Sequence, residues 1–217
     1  MFMDTISRYM ASRYVRFGDG EIWFGDLRCT FNFIPILARE FIINNELDPE
    51  RYSSIVFLAA KRAGYDFVTK HAIPLVKNWT PVIGIGIEWL SLYGHGLFRS
   101  VKADRENGFL LLSGRSNIGQ EIKGQKPSTD PTDFTLGGLM AGTMEYYTKK
   151  PTYAVEISCV AQKDVQECVI VAGERKTIKS YIEKFAPEKM EWADKSLDRI
   201  EAVEKELGEG WFREEPA

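Results

Sequence analysis

The chain is short of the groups that carry most soluble-enzyme chemistry. It has 2 histidines and 3 cysteines among 217 residues. Neither His71 nor His95 has a serine or cysteine partner in a nucleophile motif. No GxxxxGK or GxGxxG run is present, and Gly84-Ile85-Gly86-Ile87 lacks both the third glycine and a preceding strand, so no phosphate cradle is expected. No apolar run approaches the roughly eighteen residues that a membrane-spanning helix needs. Internal repeats and low-complexity tracts are also lacking. The opening MFMDTISRYM carries an acid where a secretory signal wants bases, and an odd number of cysteines without framework spacing fits a reducing compartment. The expected location is cytoplasmic. A net charge of -3 gives no electrostatic reason to expect nucleic acid.

What is present reads as an ordinary globular chain, 44% hydrophobic and 27% charged, long enough for a substantial core. Two extended runs, Tyr14 to Phe17 and Glu21 to Phe24, flank the turn dipeptide Asp19-Gly20. A third, Arg28 to Phe33, carries Cys29, to which no role is given. Pro35 opens a helix to about Leu47. Asp48 and Pro49 start another, with Ile55, Leu58, Ala59, Ala63 and Phe67 at helical spacing on one face. Thr80 to Leu92 reads as a helix weakened by Gly84 and Gly86, stopped by Gly94-His95-Gly96. Leu97 to Asp104 and Phe109 to Ser113 form an antiparallel pair joined through Asn107-Gly108. Ser116 to Pro131 reads as a polar mobile loop over one rim. Near the end, Ile178, Tyr181, Ile182 and Phe185 mark an amphipathic helix. A last helix begins at Pro187, and its stripe of Ala193, Leu197, Ile200, Val203 and Leu207 suggests docking or dimerisation.

The stretch from Asp130 to Gly173 organises the rest. Thr132 or Asp133 can accept the free amide hydrogens of a helix that runs to about Lys150, where Pro151 forbids continuation. Strands Tyr153 to Val160 and Glu167 to Val171 follow, with a polar turn at Ala161 to Asp164. Cys159 and Cys168 can then face each other across the hairpin mouth, with Glu156 on the same strand as Cys159.

These residues resemble the 4-vinyl reductase domain family. Its signature is a Gly-x-x-x-Gly helix, matched by Gly138 and Gly142, then a Glu-x-x-Cys strand, matched by Glu156 and Cys159, then a second cysteine, matched by Cys168. Upstream, the Gly-aromatic-Gly corner is matched by Gly94, His95 and Gly96. Two long strands follow, then a polar tripeptide at Arg115, Ser116 and Asn117. The resemblance spans roughly Arg28 to Gly173. It implies an α+β fold, an antiparallel sheet packed against several helices, akin to TRAPP-type trafficking subunits. Residues 1–173 would form the ligand-binding domain and 174–217 a helical extension, packed on it or on a partner.

The resemblance also implies sites. Zinc takes sulfur and oxygen ligands in a tetrahedron, so Cys159, Cys168 and Glu156 can supply three. Where zinc-binding members have a cysteine at the start of the glycine helix, this chain has Asp133. Four negative charges would then surround one ion, and Lys163 or a protonated thiol would have to offset them. A small hydrophobic ligand would lie among Trp89, Tyr93, His95, Phe98, Phe109, Gly138 and Gly142. Plainer readings stand beside these. Asp133 can be only a helix cap, the cysteines core residues or a redox pair, the glycines a helix contact, and the aromatics plain core. The leading reading is a non-enzymatic sensor or carrier with structural zinc, acting as a homodimer. The alternatives are a TRAPP-like scaffold, a thiol redox sensor, and an accessory enzyme of porphyrin or aromatic metabolism.

Overall fold

The structure, a computed structural model, describes residues 15–18, 21–24, 27–29, 34–48, 51–69, 78–92 and 94–208. Strands β1 (Val15–Gly18), β2 (Glu21–Phe24) and β3 (Leu27–Cys29) pair antiparallel in that order; the Asp19-Gly20 turn lies outside the described residues. Helices α1 (Ile34–Leu47), α2 (Tyr52–Phe67) and α3 (Trp79–Leu92) precede a second sheet. That sheet is built from β4 (Gly96–Asp104), β5 (Phe109–Ser116), β6 (Tyr153–Ser158) and β7 (Cys168–Gly173), ordered β4-β5-β7-β6 and antiparallel throughout. Helices α4 (Asn117–Gln125) and α5 (Phe134–Thr148) lie between β5 and β6 in the chain, and α6 (Arg175–Phe185) and α7 (Met190–Leu207) close it. The α+β expectation holds. No helix among the described residues is long and apolar enough to cross a membrane.

Turn chemistry shapes the corners as the sequence requires. Gly94 and Gly108 sit at φ 79° and 56°, a region that residues with a Cβ enter at a cost. The segment expected to be a polar loop is α4. Ser116 caps it by accepting from the Gly119 amide at 3.1 Å, and Ile122 anchors it at 1% exposure. With only Ile118 and Ile122 as apolar residues and two glycines, its period was too short to read.

The face that α2 buries also differs from the expectation. Ile55, Ala59 and Ala63 point to solvent, while Ser54, Phe57, Leu58, Lys61 and Gly64 are buried. The cause is α5, whose backbone lies directly on that of α2. A methyl group added at Gly138 would overlap the Phe57 carbonyl, one at Gly142 the Lys61 carbonyl, and one at Gly64 the Leu139 carbonyl. Close approach selects small residues over hydrophobic ones. The approach also buries Lys61, 2% exposed, whose ammonium is held by Glu145 at 2.9 Å and Glu204 at 3.0 Å and lies 5.0 Å from the Tyr153 ring centroid.

Because Glu204 belongs to α7, this ion cluster ties the last helix to α2. The stripe of α7 is spent within the chain: Ala193, Leu197, Ile200 and Val203 all join the main core. Leu207, the last residue of the stripe, stays exposed.

Two substitutions separate the packing glycines from the others. Gly142→Ala must push α2 and α5 apart and should cost at least about 1–3 kcal/mol. Gly84→Ala faces open space and should raise stability by about 1 kcal/mol through helix propensity. Urea titration of both variants checks this pair. In the same assay Lys61→Ala, which strips two acids of their shared cation, should cost about 3 kcal/mol.

Candidate functional site: a buried thiol and carboxylate cluster

Glu156 and Cys159 are three residues apart, and along a regular strand they would face opposite sides of the sheet. A bulge corrects this. Glu156 pairs with Ile170 but Ser158 pairs with Val169, so one extra residue sits in β6 and the side chains beyond it reverse faces. Cys159, one step past the last pair, thereby stands opposite Cys168, and their sulfurs are 3.8 Å apart. Ligand-capable atoms of Glu156, Cys159 and Cys168 all lie within 4.8 Å of one another. Among the described residues these three form a group able to hold a metal ion.

The surroundings are apolar. Cys159 and Cys168 are fully buried, in a second core cluster with Ala38 and Phe41 of α1, Ile122 of α4, Val160 and Ala161. Phe134 stacks on Phe41 at 6.5 Å. The polar contacts come from the start of α5. One oxygen of Glu156 accepts from the backbone amides of Thr132 at 2.9 Å and Asp133 at 2.7 Å. Its other oxygen, Oε1, is buried with no hydrogen-bond partner among the described residues. The Thr132 hydroxyl is 3.2 Å from the Cys159 sulfur, and the Val160 amide donates to Cys168 at 3.4 Å.

Burial sets the ionisation. Desolvation, reinforced by Cys159 and Asp133, holds the Glu156 carboxyl well above the usual carboxylate range. The thiols split. Hydrogen bonds from Cys168 and Thr132 favour the Cys159 thiolate and push its pKa down, while Cys168, as the donor of the pair in a desolvated site, is pushed up. Cys168 is the protonated member of the thiol pair, and Lys163 stays exposed on the turn.

Asp133 falls outside the group of three. It is the N-cap of α5 and accepts from the Leu136 amide at 3.3 Å, the plainer of its two readings. Desolvation raises its pKa, with Ser116 and His95 opposing.

The expected lining of an apolar pocket does not converge. His95 and Phe98 lie at the corner end of β4, half-buried, whereas Phe109 sits at the far end of β5 with its ring 5.1 Å from Tyr181. Phe98 pairs with Gly114, five residues from Phe109, a span of roughly 17 Å along the strand. Gly138 and Gly142 are occupied by α2. The Trp89 side chain and Tyr93 lie outside the described residues. Between α3, α5 and the sheet stand Ile83, Ile87, Leu112, Met140 and Met144, all buried. The sequence reading missed Thr132 as a thiol partner and the Lys61 cluster. The first was visible as a cap candidate; the second has no sequence signal, since a lone lysine in a helix reads as solvated.

Fold and site together describe an α+β domain with a buried two-thiol, one-carboxylate cluster beside its antiparallel sheet. No family model matches the chain, and no curated protein matches it. Among solved structures it is similar to the phenol-responsive sensory domain of the transcription activator PoxR with phenol. Identity is 14% and the TM-score 0.65, over 90% of this chain and 96% of that one.

The raised Glu156 pKa gives a signed prediction for metal-stripped protein. Its folded pKa lies above the unfolded value, so its contribution is fully present below the unfolded carboxyl pKa and is lost as pH rises toward the folded one. Glu156→Gln should remove that dependence. Urea titrations from acidic to mildly alkaline pH should show wild type losing stability relative to the variant.

Proposed function

We propose that this chain is a non-enzymatic sensory or carrier domain for a small hydrophobic molecule, braced by a zinc ion at the Glu156, Cys159 and Cys168 cluster. The observation that carries the reading is the shared fold, over nine-tenths of the chain, with a domain that responds to phenol. The ligand is assigned to the packed layer between α3, α5 and the sheet, which α3 must shift to open. Two features support that choice. Gly84 and Gly86 destabilise α3, yet a Cβ would meet nothing at Gly84 and only make ordinary contact, 3.5 Å from the Met140 methyl, at Gly86. The helix is therefore weakened for a reason other than packing. Met140 and Met144, facing it, are unbranched and adaptable.

Zinc is favoured by the donor set. The cluster offers two sulfurs and Glu156 Oε1, an acceptor with no donor to satisfy it, and a cation answers all three. The 4-vinyl reductase resemblance supports the same assignment, with Asp133 released to helix capping. The 3.8 Å sulfur separation carries a second reading, a thiol pair closed to a disulfide by peroxide when no metal is held.

Two experiments test the proposal. Phenol and a panel of small apolar aromatics are titrated by calorimetry and thermal shift. A true ligand at a hundred times its Kd should add about 2.7 kcal/mol to stability. Gly86→Leu, which fills the space toward Met140, should abolish the response; an unchanged response, or no saturable ligand in the panel, sinks the assignment. Metal analysis of protein purified without chelator or affinity tag should find one zinc per chain. It should be lost in Cys159→Ser and kept in Asp133→Ala, which should only lose a cap of about 1 kcal/mol.

A further inference from the structure

At the far end of the sheet from the cysteines, a second feature stands apart from the sensory reading. The β4–β5 turn, the C-terminus of α5 and the N-terminus of α3 enclose a cleft of about 180 Å³, whose lining includes Trp79, Arg105, Tyr147, Lys150, Thr152 and Glu174. Trp79 is 2% exposed, and its indole Nε1–H has no acceptor among the described residues. Buried indole donors nearly always find a partner. The Thr148 and Thr152 hydroxyls are already engaged, both serving the Lys150 carbonyl. The indole N–H remains an unanswered donor on the cleft wall.

The lining sets Arg105 and Lys150 against Glu106 and Glu174, so no net charge repels an anion. Glu174 is answered by Lys150 at 2.8 Å and Lys176 at 3.5 Å, while Arg105 brings a guanidinium to the rim, beside an exposed Glu106. Trp79 also opens α3, a helix of 14 residues, so the positive end of its dipole faces the same place. Asn78 caps that end by accepting from the Thr80 amide at 3.0 Å. A guanidinium with a neutral N–H donor suits a carboxylate, and Tyr147 offers an apolar wall. The volume is below the roughly 300–1,000 Å³ of drug-sized sites, so the occupant is small.

We propose that this cleft binds a small monocarboxylic acid, its carboxylate accepting from the Trp79 indole and pairing with Arg105, its hydrocarbon part against Tyr147. The site opens on the surface and does not depend on an apolar ligand in the interior.

The test follows the Trp79 indole resonance by nitrogen-15 NMR of the full chain, assigned by its disappearance in Trp79→Phe. Butyrate and benzoate are titrated against the neutral benzamide. The carboxylates should shift that resonance saturably and benzamide should not. By calorimetry, Trp79→Phe should weaken benzoate by roughly tenfold or more, as expected for losing a buried hydrogen bond to a charged group, and Arg105→Gln by severalfold. Should Trp79→Phe fail to fold, Arg105→Gln on its exposed turn carries the test. An indole resonance unmoved by either carboxylate, benzamide acting as strongly as benzoate, or full affinity in Arg105→Gln overturns the proposal.

Discussion

The contact between the backbones of α2 and α5 is the constraint on which the rest of the molecule depends. Gly64, Gly138 and Gly142 let two helices approach to a distance at which a single methyl group would collide with a carbonyl. Such an approach fixes both the spacing and the rotation of α5. Rotation matters because the first amides of α5 must point at Glu156, and they do, at 2.9 and 2.7 Å. It also presses Lys61 into the interior, where the glutamates of α5 and α7 answer its charge. One steric requirement thus reaches the cluster at one end of β6 and the ion triad at its other end.

The cluster shows how burial and connectivity divide the work. Its acid and thiols are brought together by the β6–β7 hairpin and its bulge, but their ionisation is set by what surrounds them: α1, α4 and Phe134 exclude water, and the α5 amides supply the compensating donors. Without that enclosure Glu156 would be an ordinary carboxylate on an edge strand. Inside it, one oxygen is held by two amides and the other has no hydrogen-bond partner among the described residues. Both sulfurs are free and buried.

The two halves of the sheet carry different burdens. β6 and β7 are buried along nearly their whole length, with neighbouring residues covered on both faces, whereas β4 is exposed at most positions and forms an outer edge. Helix α3, with glycines that nothing in the packing requires, leans on the exposed half.

The sequence by itself determined most element types, α4 excepted, most of the turns and the identity of the chemically able residues. Periodicity, caps and proline stops act within a few residues, and Asp133, Glu156, Cys159 and Cys168 were legible through them. Only the tertiary structure decided which of these meet. Asp133 left the group because capping α5 holds its side chain at the Leu136 amide. Glu156 and Cys159 joined because a bulge with no sequence signature reversed a face. Ile55, Ala59 and Ala63 were assigned to the core by hydrophobicity but face solvent, since at the glycine contact the winning quantity was size. The aromatics failed to gather for a similar reason: position along a strand is set by register, and register is a property of the partner strand as much as of the residue itself.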